Sequence, residues 1–530
     1  KKKSLMKMRN TWRMIIQGII IGASLRILSS FCIQGQRSVL LSQRQSNIVR
    51  SHHGATTTTA DANWNELTPA GPYNRNIRKT LLQSLIPNEI WSLEQVQGAI
   101  FVHIPVRCII VRLSFGGLLV YGAVAPTKEC LSLLASLEKE YGQVKHIILP
   151  STATEHKLYA IQLAQKKTKA LLWIAPSQFS FPLNLPNNLL GFPSRGRTRL
   201  LVDKANPEFA CDFDFIRLGP FFSAPSTPAS FEEIVFYHKK TQSLLCCDLF
   251  VSVSSQPPEI IFQNDVRALD YHSRDFASSK PGDRLDGWKK ICLFALYFQS
   301  SPLRVASEPD GTFKGLIDFL RTSFPKPNGF NNTGWGNFFA WSWPDTKAVD
   351  RAFNALSAHG SLLVPPILAL TILNRRPADC QAFIEALDNI CADISYVIPC
   401  HFDAPVRADL GEIESAFRAA SLGLEDNFLS TLVAPVGNFF QSSPTQITSL
   451  KKNEDEQNIS SNTMTNLTTS LSLPRRLWRR FLPRIRFNSA DGGPPTILRR
   501  RGPLPDEDLA FLRQFERSLV EAGAIEPLSS

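Results

Sequence analysis

Between residues 99 and 176 the apolar positions fall in short continuous runs, each closed by glycine, proline or a polar cluster. "AIFVHIP", "RCIIVRLS" and "GLLVYGA" predict three strands in quick succession, with Gly116-Gly117 as the hairpin turn between the last two. "PTKECLSLLASLEKEYG" follows with a helical pattern, opened by Pro126 and stopped by Gly142. "VKHIILP" predicts the next strand, a helix is expected near Lys157–Lys166, and "ALLWIAP" predicts a strand after it. A meander that gives way to alternating strand and helix is an α/β pattern with a mixed sheet.

Residues 61–95 read as a polar approach segment with one helix candidate. The stretch "SQFSFPLNLPNNLLGFPSRG", with three prolines, reads as an ordered loop packed over something. A second β section begins at "FDFIRLGPF" and runs through "FEEIVFYHKKTQSLLCCDLFVSV", whose "HKKTQ" tip is a hairpin turn that places His238 in solvent. Helical character returns over 283–330 and 345–390, and "ISYVIPCHFDAPV" predicts the last strand. The main domain is set at 96–425, a polar linker at 426–473, an Arg-rich segment at 474–503 and an amphipathic helix at 504–524. In that helix Leu509, Leu512, Phe515 and Leu519 share one face, which is expected to dock on the body or on a partner.

The net charge of +12 suggests a nucleic-acid binder until it is mapped. Residues 1–60 hold ten Lys/Arg and no acid, and nine arginines lie between Arg475 and Arg501. The rest of the chain carries 39 basic residues against 45 acidic ones, so its body is slightly acidic and is not expected to bind nucleic acid. "RRLWRRFLPRIRF" interleaves the charge with aromatics, which suits an anionic membrane surface, with nucleic acid as the competing use and a solvated tail as the bland one.

Ten cysteines are scattered without a CxxC pair, which disfavours a zinc ribbon or a thioredoxin-type site and fits a reducing compartment. Cys246-Cys247 read as small buried hydrophobes. At the N-terminus "KKKSLMKMRNTWR" is a basic lead, and "MIIQGIIIGAS" is an apolar run short of the roughly 20 residues that span a bilayer. A Ser-, Gln- and Arg-rich stretch without acids follows to Arg50. Residues 1–60 therefore resemble a signal-then-transit presequence, of the kind that addresses proteins to the plastid of an alga with secondary plastids. A membrane anchor is the alternative.

Three turns share one form, an apolar strand with metal-capable residues at its C-terminal end. They lead to Glu155-His156 after "ILPSTAT", to Asp248 after "SLLCC", and to His401 after "YVIPC". In α/β folds active sites collect at such strand ends. Two carboxylates and two imidazoles suit Zn²⁺, Fe²⁺ or Mn²⁺ better than Ca²⁺ or Mg²⁺. Buried Glu, His and Asp can also satisfy one another without any ion.

The order of these turns resembles the metallo-β-lactamase superfamily. "FYHKKTQSLLCCD" is similar to its hairpin followed by a bridging Asp, and "IPCHFDAPV" to its last-histidine turn. "PTKECL", "LPSTATEHK", "APSQFSFPLNLP", "LFALYFQ" and "IPCHFDAPV" further resemble the uncharacterised domain-of-unknown-function family 4336 of plants, algae and cyanobacteria, over roughly residues 85–410. The resemblance implies an αββα sandwich of two mixed sheets, here with disordered termini, and names no established reaction.

The superfamily signature HxHxDH falls on "STATEH", which puts Ser151 and Ala153 in the place of the first two histidines and Glu155 in the place of the Asp, and keeps His156. No histidine lies between His156 and His238, where the superfamily has another ligand. The resemblance then implies that the groups for a first metal are lost, while Glu155, His156, Asp248 and His401 match those of a second. The expectation is one divalent metal, Zn or Fe, held by those four, with Asp248 as ligand or catalytic base, in a hydrolase acting on a small molecule. No other cofactor is expected. A non-catalytic binding or assembly scaffold at a plastid membrane is the alternative, so enzymatic activity stays open. A rim role for His272, Arg274 and Asp275 and a Cys400–His401 nucleophile pair are minor readings, with a loop salt bridge the bland alternative for the former. "SQFSFPLNLP" and "WGNFFAWSWP" could line an apolar pocket or belong to the core. No Walker A, GxGxxG or GxSxG sequence occurs.

Overall fold

The computed structural model describes residues 78–99, 102–180, 185–194, 196–202, 207–222, 230–273, 283–297, 304–305, 341–342, 346–391, 393–419, 504–521 and 525–528. The presequence expected at 1–60, the linker at 426–473, the Arg-rich segment at 474–503, Arg274, Asp275 and "WGNFFAWSWP" up to Ala340 lie outside them. The chain divides into a unit formed by 1–422 with 500–530 and a second unit at 423–499, and every described residue belongs to the first.

Seven strands form the first sheet in sequential order: β1 (Leu81–Ile86), β2 (Ile90–Ala99), β3 (Val102–Arg112), β4 (Leu118–Tyr121), β5 (Val144–Leu149), β6 (Leu171–Ile174) and β7 (Thr198–Leu200). β1 to β4 are joined antiparallel and β4 to β7 run parallel. Two helices make the parallel crossovers, α1 (Lys128–Tyr141) from β4 to β5 and α2 (Thr154–Lys166) from β5 to β6. Thr127 caps α1 by accepting from the Cys130 N–H, and Gly142 ends it at φ +97°, which a Cβ would disfavour.

The second sheet has the order β14-β13-β10-β9-β8. It is built from β8 (Phe213–Phe222), β9 (Ser230–His238), β10 (Ser243–Cys246), β13 (Tyr396–Pro399) and β14 (Val406–Arg407). β10 and β13 run parallel; the other neighbours run antiparallel. A two-residue ribbon, β11 (Arg304–Val305) with β12 (Trp341–Ser342), stands apart from both sheets.

Strand alternation explains the layers. Along β3 to β5, Ile109, Val111, Leu119, Tyr121 and Ile148 face inward and meet Phe213, Ile234, Phe236, Leu245 and Ile398 of the second sheet. Their neighbours Cys108, Ile110, Leu118, Val120, Ile147 and Leu149 face outward onto Leu134 and Leu137 of α1 and Leu158 and Ile161 of α2. On the far side Phe383, Ile384 and Leu387 are buried in α8 (Pro377–Ile390), which lies against β8. The arrangement is the expected αββα sandwich of two mixed sheets.

Further helices cluster around Trp288: α3 (Glu259–Asn264), α4 (Arg267–Ser273), α5 (Arg284–Tyr297), α6 (Thr346–Ser357) and α7 (Pro366–Thr371). α9 (Leu410–Ala419) follows the second sheet, with Phe417 edge-on to Phe250. The C-terminal helix α10 (Asp506–Glu521) buries Leu509 and Leu512 in the Trp288 cluster, and Glu516 meets Arg375 at 2.7 Å. It docks on the body.

Three expectations change. The approach segment at 61–95 contains β1 and part of β2, so the sheet begins upstream of residue 96 and the helix candidate does not form among the described residues. "VHIP" and "RCIIVR" belong to one strand, β3, with Pro105 opposite Val96, while Ala99 ends β2. His238 is buried at the end of β9, with its ring against Phe213 and Nδ1 2.8 Å from Thr241 Oγ1, so it is not a solvated tip.

Candidate metal centre

β5 ends at Leu149, and Pro150 stops the ladder. The turn after it is stitched to β9 of the other sheet: Thr152 N donates to Glu232 O, Thr152 Oγ1 to Ser230 O, and Ser151 bridges to Glu233. α2 then starts at Thr154, earlier than expected, so Glu155 and His156 lie in its first turn and point back toward the strand ends. In the second sheet Cys246 pairs with Pro399 across parallel strands. Asp248 and His401 each stand two residues past that pair and are therefore neighbours.

The four residues named from the sequence meet here. Ligand atoms of Glu155, His156, Asp248 and His401 all lie within 4.8 Å of one another. The two imidazole centroids are 5.6 Å apart, and His401 Nε2 is 3.2 Å from Asp248 Oδ1. Ser151, in the place of a superfamily histidine, donates to Asp248 Oδ2 at 3.4 Å.

Two main-chain carbonyls orient the imidazoles. His156 Nδ1 lies 3.2 Å from Ala123 O, and His401 Nδ1 lies 3.3 Å from Pro105 O. A carbonyl only accepts, so both Nδ1 atoms carry the proton; His156 Nε2 then keeps a lone pair, whereas His401 Nε2 faces the Asp248 carboxylate and donates to it. His156 Nε2 is buried and has no hydrogen-bond partner among the described residues. A basic nitrogen left bare in a cluster of carboxylates and imidazole fits a cation, and a main-chain partner on the far nitrogen is the usual way to aim a histidine ligand.

The electrostatics are strongly coupled. Burial pulls the His156 pKa down to about 4, so it is neutral near pH 7. Burial, with Asp248 adding to it, raises Glu155 to about 7. For Asp248 burial acts upward, but the hydrogen bond and charge of His401 outweigh it and hold the carboxyl below its ordinary value. For His401 burial acts downward and Asp248 outweighs it, so the imidazole is raised.

Several supporting residues were not singled out from the sequence. Glu233, on β9, accepts from Cys247 N at 2.6 Å and from Asp248 N at 2.9 Å. Burial and the charge of Asp248 raise it to about 8. The only trace of it in the sequence is a pair of acids inside the apolar strand "FEEIVF". Arg107 is buried with Glu94, Nε to Oε1 at 2.8 Å. Its other nitrogens donate to Pro399 O at 2.9 Å and to Phe402 O, on either side of His401. Phe402 sits at φ +57°, a conformation disfavoured by its Cβ, so the His401 turn is held by neighbours and not by local preference. Cys400 lies beside His156 and Cys247, with donor atoms within 4.8 Å. His272 is buried in α4.

The family model described as "Domain of unknown function (DUF4336)" matches residues 87–419. The chain belongs to that family. No curated protein matches this DUF4336 member. Among solved structures it is similar to a metallo-β-lactamase from Pontibacter korlensis, at 10% identity and TM-score 0.27, over 64% of this chain and 99% of that one. It is also similar to the DIM-1 metallo-β-lactamase, at 10% identity and TM-score 0.25, over 41% of this chain and 83% of that one. A third similarity is to TMB-1, at 9% identity and TM-score 0.24, over 42% and 84% of the respective chains.

Proposed function

We propose that this DUF4336 protein is a hydrolase of a small substrate that uses one divalent cation, zinc or iron, held by Glu155, His156, Asp248 and His401. The observation that carries the reading is the bare, buried Nε2 of His156 inside a four-donor cluster. When bound, such a cation polarises an acyl or phosphoryl oxygen and acidifies water. The chain's own groups supply the rest. Ser151 and His401 hold Asp248 ionised and oriented, so its carboxylate is the base that takes a proton from the attacking water. Glu155, raised to about 7 by burial in the metal-free cluster, gives up its proton on holding the cation, and the proton taken by Asp248 is the one passed on to the leaving group. Arg107 and Glu233 keep the two turns in place. We further propose a plastid address in residues 1–60 and contact with an anionic membrane surface through residues 474–503. No described helix is long and apolar enough to cross a membrane.

A second reading is a non-catalytic scaffold at a plastid membrane, favoured by the 3.2 Å Asp248–His401 pair, in which two of the four groups already satisfy each other. Metal analysis of the purified full chain separates the two. Stoichiometric zinc or iron, lost in both His156→Ala and His401→Ala with circular dichroism unchanged, supports the hydrolase. A folded wild type that stays free of metal on titration with either ion overturns it in favour of the scaffold. A fluorescent fusion of residues 1–60 that remains in the cytosol of an alga with secondary plastids defeats the address.

A further inference from the structure

Beneath the four-donor cluster lies a softer one. Donor atoms of His156, Cys247 and Cys400 lie within 4.8 Å of one another, and all three residues are buried. Cys247 immediately precedes Asp248 and Cys400 immediately precedes His401, so the same parallel pairing of β10 with β13 sets the two thiols side by side.

Two buried cysteines in a sheet interior are most often small hydrophobes. Two further observations point to a ligand. The first is His156 itself, an imidazole whose Nε2 is buried without a partner among the described residues. The second is Gly122, at the end of β4, with φ +67°. A Cβ built there would lie 2.6 Å from Cys400 Sγ and 3.6 Å from His156 Nδ1. The main chain at Gly122 passes against the sulfur and the Nδ1 edge of the imidazole, so any side chain there would crowd both residues.

We propose that His156, Cys247 and Cys400 form a second cation site, selective for a thiophilic ion such as Cd²⁺ and overlapping the first through His156. One nitrogen and two sulfurs make a soft donor set, whereas the first cluster has two nitrogens and two carboxylates. Because His156 is shared, one ion takes one bed or the other. The ion's chemical softness decides which. The site does not depend on the hydrolase reading; it depends on the two thiols and His156.

The test is cadmium titration of the chelator-treated, reduced full chain, followed by the near-ultraviolet sulfur-to-cadmium charge-transfer absorption and by bound-metal analysis. The band is expected to rise to one equivalent in the wild type and in Asp248→Asn, which disables only the first cluster. It is expected to vanish in Cys400→Ser and in Cys400→Ala, the latter made alongside because it keeps an apolar side chain in the core. Cadmium bound without the band overturns this site and leaves the four-donor reading intact. Loss of the band in Asp248→Asn, with its circular dichroism unchanged, overturns it as a separate site. No binding of cadmium, zinc or iron overturns both.

Discussion

Arg107 and Glu94 face each other across β2 and β3 at 2.8 Å, each with a side chain only 3% exposed. Truncating one partner leaves the other charge buried, at a cost of about 3–5 kcal/mol. Arg107→Ala is therefore expected to lower the urea midpoint severely. Replacing both, as Arg107→Met with Glu94→Met, removes the stranded charge and is expected to recover most of the stability. It does not restore the donors to Pro399 O and Phe402 O, so affinity for zinc, measured by calorimetry, is expected to stay reduced in the folded double variant.

Gly122 tolerates no side chain. Gly122→Ala meets Cys400 Sγ at 2.6 Å and sits at φ +67°, where the left-handed backbone alone costs about 1–2 kcal/mol. The expected outcome is a destabilisation of more than that amount by thermal unfolding, together with loss of the cadmium–thiolate band. An alanine variant as stable as the wild type would show that Cys400 moves freely, contrary to its packing.

His238 links stability to pH. Its ring is buried, and burial pulls its pKa from 6.5 down to about 4. The unfolded chain takes up this proton below about pH 6.5 while the folded chain does not, so stability is lost as pH falls from 6.5 toward 4. The full contribution is on the order of 3 kcal/mol. Urea unfolding at pH 7 and at pH 4.5 is expected to show a smaller difference between the two pH values in His238→Gln than in the wild type, even though the variant is less stable at pH 7.

Leu512 anchors the C-terminal helix and is 1% exposed. Leu512→Ala removes its methyl groups from the cluster around Trp288, with a loss of about 2–5 kcal/mol. Undocking of α10 also exposes its backbone, so limited proteolysis is expected to cut between residues 500 and 521 faster in the variant.

The run from β4 to β6 was legible because its signals are local. Pro126, Gly142, Pro150 and the Gly116-Gly117 turn act on the chain within a few residues of themselves. β1 was missed for the opposite reason. "LLQSLI" has no clean alternation, and it is a strand because the β2 edge offers it a ladder. His238 was misplaced because a turn signal says where the chain reverses and not what covers it.

The sequence by itself determined the strand–helix rhythm, the family resemblance and the identity of the four donor residues, since each is written in contiguous residues. Only the tertiary structure decided that Glu155 and His156 from one sheet meet Asp248 and His401 from the other within 4.8 Å. It also decided that Glu94, Arg107, Glu233, Cys247 and Cys400 stand around them. The physical reason is that convergence is a property of sheet packing and strand register. A one-residue slip in the β10–β13 pairing would set Asp248 beside Cys400 or Phe402 in place of His401, and nothing in either strand alone records that register.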